Sequence, residues 1–205
     1  LDKKRLPTEK QPGAHQRFLI KSSLQEKLNN FASEHGVTLY MLLSASFNIL
    51  LSRFSKQEDI NIGIPIANRN RHEWESMIGF FVNTLVLRSD LSGNPKFSDF
   101  LKQVQENTLA IFSNQDLPFD RVVENLVEQR DSGFSPLFQV MFSLQNTPSE
   151  KIFNLKNLAV EVLDNSLDNA RYDMTWNLTE QMPTEKDGGI EIDVEFNSDL
   201  FHAST

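Results

Sequence analysis

Four histidines are the first candidates for acid–base or metal chemistry in this chain. They stand far apart, at His15, His35, His72 and His202, and none has a metal-ligating partner three or four residues away. Two ligands at that spacing would lie on one face of a helix, as a helical zinc site requires. His35 lies on the apolar stripe of a predicted helix just before Gly36, which favours a structural role. The histidines therefore predict neither a metal site nor a catalytic pair.

The sequence also lacks the usual nucleophiles and phosphate-binding loops. It contains no cysteine, which excludes thiol nucleophiles, thiolate metal sites and disulfides. It has no P-loop, no dinucleotide-binding fingerprint and no G-x-S-x-G elbow. A stand-alone enzyme is therefore not evident from the residues. The lack of cysteine is compatible with the reducing cytoplasm, where we expect the protein to be located.

The charge and the hydropathy of the chain narrow the classes of partner. The formal net charge of the 205 residues is -8, which argues against binding to nucleic acid or to anionic membranes, because both attract basic patches. The most apolar segment, residues 39–54, is interrupted by polar side chains and is shorter than the roughly 20 residues of a membrane span. We interpret it as a buried core helix, and the 16 phenylalanines supply bulk for that core.

The periodicity of the apolar residues predicts a mixture of helices and strands, with mainly strands after Pro136. A capping box at Ser23 begins one helix, Thr38 caps a second, and a third runs from Phe97. A fourth follows Pro118, with Asp116 at the distance of an N-cap. The predicted strands are residues 15–20, 60–66, 81–88, 137–145, 158–163, 172–179 and 190–197. The strand over 81–88 is apolar on both faces, which predicts a central position in the sheet.

Three ordered motifs are more specific than any single residue. They are Met77-Ile-Gly-Phe-Phe-Val-Asn-Thr-Leu-Val-Leu-Arg88, Asn114-Gln-Asp-Leu-Pro-Phe-Asp120 and Arg130-Asp-Ser-Gly-Phe-Ser-Pro-Leu-Phe-Gln-Val-Met-Phe142. In this order and spacing they resemble the C-terminal signature motifs of condensation domains from nonribosomal peptide synthetases. Leu6-Pro-Thr-Glu9 and residues 40–70 resemble the same family, so the resemblance covers nearly the whole chain.

The resemblance implies a fold and a reaction. The expected fold is an α/β two-layer sandwich lobe of chloramphenicol-acetyltransferase-like type, with a mixed β-sheet packed against helices. A complete domain has two such lobes around a tunnel and forms an amide bond between a carrier-bound donor acyl thioester and an acceptor aminoacyl thioester. The family places its key histidine in a His-His-x-x-x-Asp-Gly motif of the N-terminal lobe, and this chain has no adjacent histidine pair. We therefore expect residues 14–205 to be the C-terminal lobe, residues 1–13 a linker from the N-terminal lobe, and the fragment alone to be inactive.

The resemblance also assigns site residues, none of them catalytic within this fragment. Asn83, Gly79, Phe81 and Gln145 are expected to line the tunnel or active site. Asn83 has an alternative role in a structural hydrogen bond within the lobe, because a buried amide left unpaired costs about 1–3 kcal/mol. Gly79 also has a structural alternative, a tight backbone entry to the strand.

The remaining expectations concern partners. Arg69 and Arg71, in the loop likened to the tunnel floor, are candidates to contact the phosphate of a carrier's phosphopantetheine, with solvated loop charges as the alternative. We expect no metal and no directly bound cofactor, since phosphopantetheine is carried by partner carrier domains. The expected partners are the N-terminal lobe of the same domain, peptidyl carrier domains and the adenylation domain of the same synthetase.

The chain departs from the family pattern at several positions. Asn114 stands where the family usually has His, Asp120 where it has Glu, and Gly133-Phe134-Ser135 where it has Ser-Arg-Asn. We interpret these positions as structural. The sequence Phe81-Val-Asn-Thr84 favours true condensation over the epimerisation and heterocyclisation relatives. A non-catalytic module that binds carriers or another partner, and a relative that forms esters, stay open as alternatives.

Overall fold

The structure, a computed structural model, describes residues 1–5, 11–127, 135–145, 158, 169–181 and 188–205. The chain forms two compact units. The terminal unit comprises Leu1–Asn30 and Ser143–Thr205, and the central unit comprises Phe31–Phe142. In chain order the elements are β1 (Gly13–Lys21), α1 (Ser22–Glu34), α2 (Leu39–Ser55), β2 (Asp59–Ile66), α3 (His72–Glu75), β3 (Asn83–Asp90), α4 (Phe97–Ser113), α5 (Phe119–Leu126), β4 (Val140–Gln145), β5 (Met174–Glu180) and β6 (Gly189–Asn197).

The central unit contains a mixed sheet in which β2 lies between β3 and the first half of β4, because the boundary between the units falls after Phe142. β2 is antiparallel to β3, with Ile66 opposite Asn83, and parallel to β4, with Ile62 opposite Val140. The alternate isoleucines of β2 are all buried, as their spacing predicts, and they are Ile60, Ile62, Ile64 and Ile66. Helices α2 and α4 pack against each other and against β2 and β3, respectively. The predicted α/β class, with a mixed sheet packed against helices, is confirmed.

The position of β3 corrects the prediction of a central strand. The strand begins at Asn83, after the two phenylalanines of the motif, and among the described strands it pairs only with β2. Side chains of α4 bind its backbone instead of a second strand. Asp90 N donates to Gln103 Oε1 at 3.2 Å, and Asn107 Nδ2 donates to Arg88 O at 3.0 Å. A helix packed along it lets this edge strand stay as apolar as a central one.

The terminal unit contains an antiparallel sheet in the order β1-β6-β5. Gly13 lies opposite Asn197 and Lys21 opposite Gly189. The backbones approach closely at this end, because a Cβ on Gly189 would lie 2.2 Å from Ile20 O. Near the start of the chain, Asp2 N donates to Leu200 O at 2.9 Å. The assignment of residues 1–13 as a linker and of 14–205 as one lobe stays a prediction.

Several expectations from the sequence fall outside the described residues. They concern Leu6-Pro-Thr-Glu9, residues 130–134 of the third motif, and nearly all of the predicted strand 158–163. Among the described helices, none is both long and apolar enough to cross a membrane by itself. The pair Ser22–Glu34 and Leu39–Ser55 passes that test only when joined, and the two are bent by 103°.

Candidate functional site

The connection between α3 and β3 exposes large apolar side chains. We call residues 77–82 the apolar segment; it is the first half of the first motif. Ile78 is 103% exposed and Phe80 92% exposed, while about half of Met77 and of Val82 faces solvent. Neighbouring apolar side chains in water are costly, and clusters of them mark surfaces that contact another molecule or segment. The apolar segment is therefore the candidate functional site of the central unit.

The side chain of Arg69 makes three contacts within this connection. Its guanidinium donates hydrogen bonds to Trp74 O and, at 3.5 Å, to Gly79 O. Its Cζ also lies 4.2 Å from the ring centroid of Phe81. The planar group thus binds two carbonyls and one aromatic face, which a lysine could not do with the same geometry. Arg69, which precedes α3, therefore binds one carbonyl within that helix and one in the apolar segment after it.

Arg71 extends the same arrangement. Its Cζ lies 5.0 Å from the ring of Trp74, and that ring lies 5.9 Å from the ring of Phe81. Two guanidinium groups and two aromatic rings therefore form one set of contacts. Cation–π pairs at exposed sites contribute about 0.5–1 kcal/mol each, enough to favour one loop conformation.

The charge around the two arginines is balanced. Glu73 and Glu75 lie in α3 beside them, and both are exposed. Two carboxylates so close in sequence to two guanidinium groups lower the net positive charge of this connection, which weakens its attraction for a phosphate. The structure places Arg69 in a structural role, and contact of Arg69 or Arg71 with phosphopantetheine stays a prediction.

Asn83, the first residue of β3, makes three hydrogen bonds with the second motif. Its Nδ2 donates to Gln115 O and to Leu117 O, both at 2.9 Å. Its Oδ1 accepts from the backbone N–H of Phe119 at 3.1 Å. Both amide hydrogens are used within the unit, which is the structural alternative considered for this residue. Its assignment to the tunnel lining stays a prediction.

The start of α5 corrects the expected role of Asp116. The helix begins at Phe119, and Pro118 in the N-cap position makes no side-chain cap. Asp116 Oδ1 instead accepts from Asn70 Nδ2 at 2.9 Å. The cap comes from Asn83, because its oxygen binds the first N–H of the helix. The sequence did indicate that the cap comes from elsewhere, because the proline in the N-cap position has no side-chain acceptor.

The other assigned positions are distributed over both units. Phe81 is half-buried in the contacts with Arg69 and Trp74. Gly79 is exposed, and a Cβ placed there would lie 3.1 Å from the Phe81 ring. Gln145 is the exposed last residue of β4 and belongs to the terminal unit. Tunnel lining by these three residues stays a prediction.

Asn114, which departs from the family's histidine, has a local structural role. It follows the last residue of α4, and its Nδ2 donates to Ala110 O at 2.9 Å. The bond binds a carbonyl in the last turn of the helix. This agrees with the interpretation of the position as structural.

The histidines lie in separate local contacts. His35 Nδ1 lies 2.9 Å from Phe31 O, and the two rings stack at 4.0 Å, which supports the structural role expected for His35. His15 Nδ1 lies 3.3 Å from Asp193, in the terminal unit. Within the part of the chain that is described, no group of three or more His, Cys, Asp or Glu is placed to hold a metal ion.

Comparison with known proteins identifies the family. The family model named Condensation domain matches residues 1–205. One of the linear gramicidin synthase chains from Brevibacillus parabrevis is 43% identical over 209 residues, which cover 100% of this chain and 4% of that synthase chain. Malpinin synthetase from Mortierella alpina is 40% identical over 207 residues, which cover 98% of this chain and 3% of that synthetase. The chain therefore spans a small part of the length of these curated relatives.

Two solved structures have the same fold. The X-domain from teicoplanin biosynthesis has a TM-score of 0.82 and 23% identity, over 99% of this chain and 47% of that one. A four-domain nonribosomal peptide synthetase bound to AMP and glycine has a TM-score of 0.83 and 24% identity, over 99% of this chain and 16% of that one. These likenesses confirm the expected chloramphenicol-acetyltransferase-like fold. The family match over residues 1–205 shows that this chain belongs to the condensation-domain family of nonribosomal peptide synthetases.

Proposed function

We propose that this chain is the C-terminal lobe of a condensation domain that forms an amide bond between a carrier-bound donor acyl thioester and a carrier-bound acceptor aminoacyl thioester. The observation that carries the proposal is the apolar segment, whose side chains Ile78 and Phe80 are almost fully exposed in the first motif. The chain covers 47% of the teicoplanin X-domain, so the rest of a domain of that size is long enough to form a second lobe that covers the segment.

The energetics of the apolar segment support a missing partner surface. Removing one large apolar side chain from water contributes roughly 1.5–3 kcal/mol. Four such side chains stand in six residues here, at Met77, Ile78, Phe80 and Val82. Arg69 binds the backbone before and within the segment, and Asn83 anchors the backbone after it, so less conformational entropy is lost when the segment is covered. The proposed cover is the N-terminal lobe of the same domain.

The proposed division of labour follows from the residues that the chain lacks. No adjacent histidine pair stands in the sequence, so the proton-accepting or positioning histidine would come from the N-terminal lobe. The carrier domains would deliver both thioesters on phosphopantetheine arms, which makes the encounter of amine and thioester effectively intramolecular. The C-terminal lobe would then contribute walls that orient the two substrates. Its partners would include the carrier and adenylation domains of one cytoplasmic synthetase.

The reaction is tested with the two lobes expressed together. Carrier domains loaded with a donor acyl group and with an aminoacyl acceptor are incubated with the chain alone, or with the chain joined to its upstream segment. We expect the amide product, detected by mass spectrometry, only with the joined lobes. A joined protein that binds carriers and makes no product indicates the binding module. Product from a matched alcohol acceptor, and none from the amine, indicates the ester-forming relative.

The role of the apolar segment is tested separately by association of the two lobes. The double variant Ile78→Asp/Phe80→Asp should weaken binding of the separately expressed lobes by more than about tenfold, because it places two charges in an apolar contact. Leu109→Asp is the matched control, since Leu109 is a 56% exposed leucine on α4 of the same unit. Equal affinities for the double variant and the control would contradict the proposed cover.

A further inference from the structure

We propose that Asn83 is a positioning residue of the complete domain. Its side chain holds residues 114–118 and the start of α5 against the start of β3, and so fixes the orientation of the apolar segment that ends at Val82. This inference rests on the proposed function, because the orientation matters only if the segment meets a second lobe around the reactants. Asn83 acts through these neighbours and does not touch the substrates.

The hydrogen-bonding capacity of Asn83 supports this role. A side-chain amide has two N–H donors, and Asn83 spends both on the carbonyls of Gln115 and Leu117. Its oxygen accepts from Phe119, and this N–H has no partner within α5 because it is the first of the helix. The amide therefore has no donor left for a substrate.

A second contact joins the same two loops. Asn70 Nδ2 donates to Asp116 Oδ1 at 2.9 Å, which connects the loop before α3 to the loop before α5. Arg69 thus binds Trp74 O before the apolar segment and Gly79 O within it, and Asn83 anchors the backbone directly after the segment. Such anchors restrict the backbone of a short exposed segment, as a preorganised contact surface requires.

The geometry requires an amide at position 83. An ionised aspartate could accept from Phe119, but it would place a charge against the carbonyls of Gln115 and Leu117 and donate to neither. Once protonated, the same carboxyl gains one O–H donor and can restore one of those bonds. Asn83→Asp therefore converts the contact into one that depends on pH, while the wild-type amide does not titrate.

The experiment uses the longer polypeptide that carries both lobes. Asn83→Ala should lower kcat for amide formation by about tenfold to a hundredfold, since small misplacements of this kind are costly, with a much smaller change in KM for the loaded acceptor carrier. The ratio of Asn83→Asp activity to wild-type activity should increase as the pH is lowered through the pKa of the new carboxyl. Asn125→Ala is the matched control, because Asn125 is an exposed asparagine that also donates to a backbone carbonyl, that of Arg121.

Hydrogen exchange at the Phe119 amide separates positioning from a general loss of structure. Exchange should be faster in Asn83→Ala than in wild type and unchanged in Asn125→Ala. Wild-type kcat in Asn83→Ala, or a pH profile of Asn83→Asp parallel to wild type, would overturn the inference and leave the proposed function intact. Lack of amide product from the wild-type polypeptide would overturn the proposed function itself.

Discussion

The side-chain oxygen of Asn83 accepts a 3.1 Å hydrogen bond from the backbone N–H of Phe119, so a strand residue caps a helix that begins 36 positions later in the chain. The same amide binds the carbonyls of Gln115 and Leu117. The first and second motifs of the sequence are therefore parts of one hydrogen-bonded structure. A change at either motif is expected to affect the other.

Removing this cap should lower the stability of the isolated chain. Asn83→Ala leaves the Phe119 N–H and two carbonyls without their partner, and we expect the free energy of unfolding to fall by about 1–3 kcal/mol. Urea denaturation followed by circular dichroism measures the change. Asn125→Ala, a surface substitution on α5, should stay within about 0.5 kcal/mol of wild type. Equal stabilities for the two variants would contradict the capping role.

Replacing Arg69 by lysine should loosen the connection around α3. The ammonium group keeps the charge but cannot bind two carbonyls and stack on Phe81 at once. We expect faster hydrogen exchange in residues 74–81 of Arg69→Lys, measured by mass spectrometry after proteolysis. Arg121→Lys is the control, because Arg121 pairs with Glu124 on the surface of α5. Unchanged hydrogen exchange in Arg69→Lys would contradict the structural role of Arg69 in this connection.

Gly63 should not tolerate alanine. A Cβ at this buried position of β2 would stand 2.3 Å from the ring of Phe138, which is itself 1% exposed. We expect Gly63→Ala to lower the free energy of unfolding by about 1–3 kcal/mol, because a close-packed ring has little room to move. Adding Phe138→Leu should recover part of that loss, which a double-mutant cycle measures. Strictly additive effects would show that the ring is not the obstacle.

Alkaline pH should destabilise the chain through Tyr40. Burial of its hydroxyl raises the pKa of Tyr40, because the phenolate would lose the solvation that water gives it. The unfolded chain loses the Tyr40 proton near pH 10 while the folded chain keeps it, so stability is fully present below about pH 10 and falls as the pH rises above it.

The measurement uses Tyr172→Phe, which leaves Tyr40 as the single tyrosine of the chain. Tyrosinate absorbance in this variant should increase together with the loss of the circular dichroism of the folded state. Ionisation near the ordinary tyrosine pKa, with the fold still intact, would contradict the prediction.

Acid titration should show the contact between Asp59 and Arg88. The hydrogen bonds that Arg88 donates, with Nη2 2.7 Å from Oδ2, hold the pKa of the Asp59 carboxyl below its usual value. The contribution of this pair to stability is present above the unfolded pKa of Asp59 and is lost as the pH falls through the folded one. Carboxyl titration by NMR should find the Asp59 pKa higher in Arg88→Leu than in wild type. The same pKa in both proteins would rule the contact out in solution.

Local patterns in the sequence predicted much of the fold. The alternate isoleucines from Ile60 to Ile66 predicted β2, because every second side chain of a strand faces the same side. Thr38 predicted the start of α2, and its hydroxyl accepts from Met41 N at 3.2 Å. In both cases the residues that determine the element lie within a few positions of one another, so the interaction can be predicted from the local sequence.

The edge position of β3 and the cap of α5 could not be read in this way. Phe80, Phe81 and Val82 look like part of a buried strand, yet they precede β3, and two of the three are exposed. An apolar run indicates that these residues are buried against some surface, but it does not say which one. The proposed second lobe would be that surface. Asp116 stood at cap distance, but its carboxylate binds Asn70. A local rule cannot anticipate a competitor such as Asn83 from another part of the chain.

The sequence by itself determined the family, through the order and spacing of its motifs, and it determined that no adjacent histidine pair is present. Only the tertiary structure decided what the polar side chains of those motifs bind. Asn83, in the first motif, was expected to line the tunnel, and Arg69, in the loop before α3, was a candidate to contact a carrier's phosphopantetheine. Both are hydrogen-bonded to backbone groups. The physical reason is that a polar group takes whichever partner the fold brings within about 3 Å, and for Asn83 that partner lies more than 30 residues away along the chain.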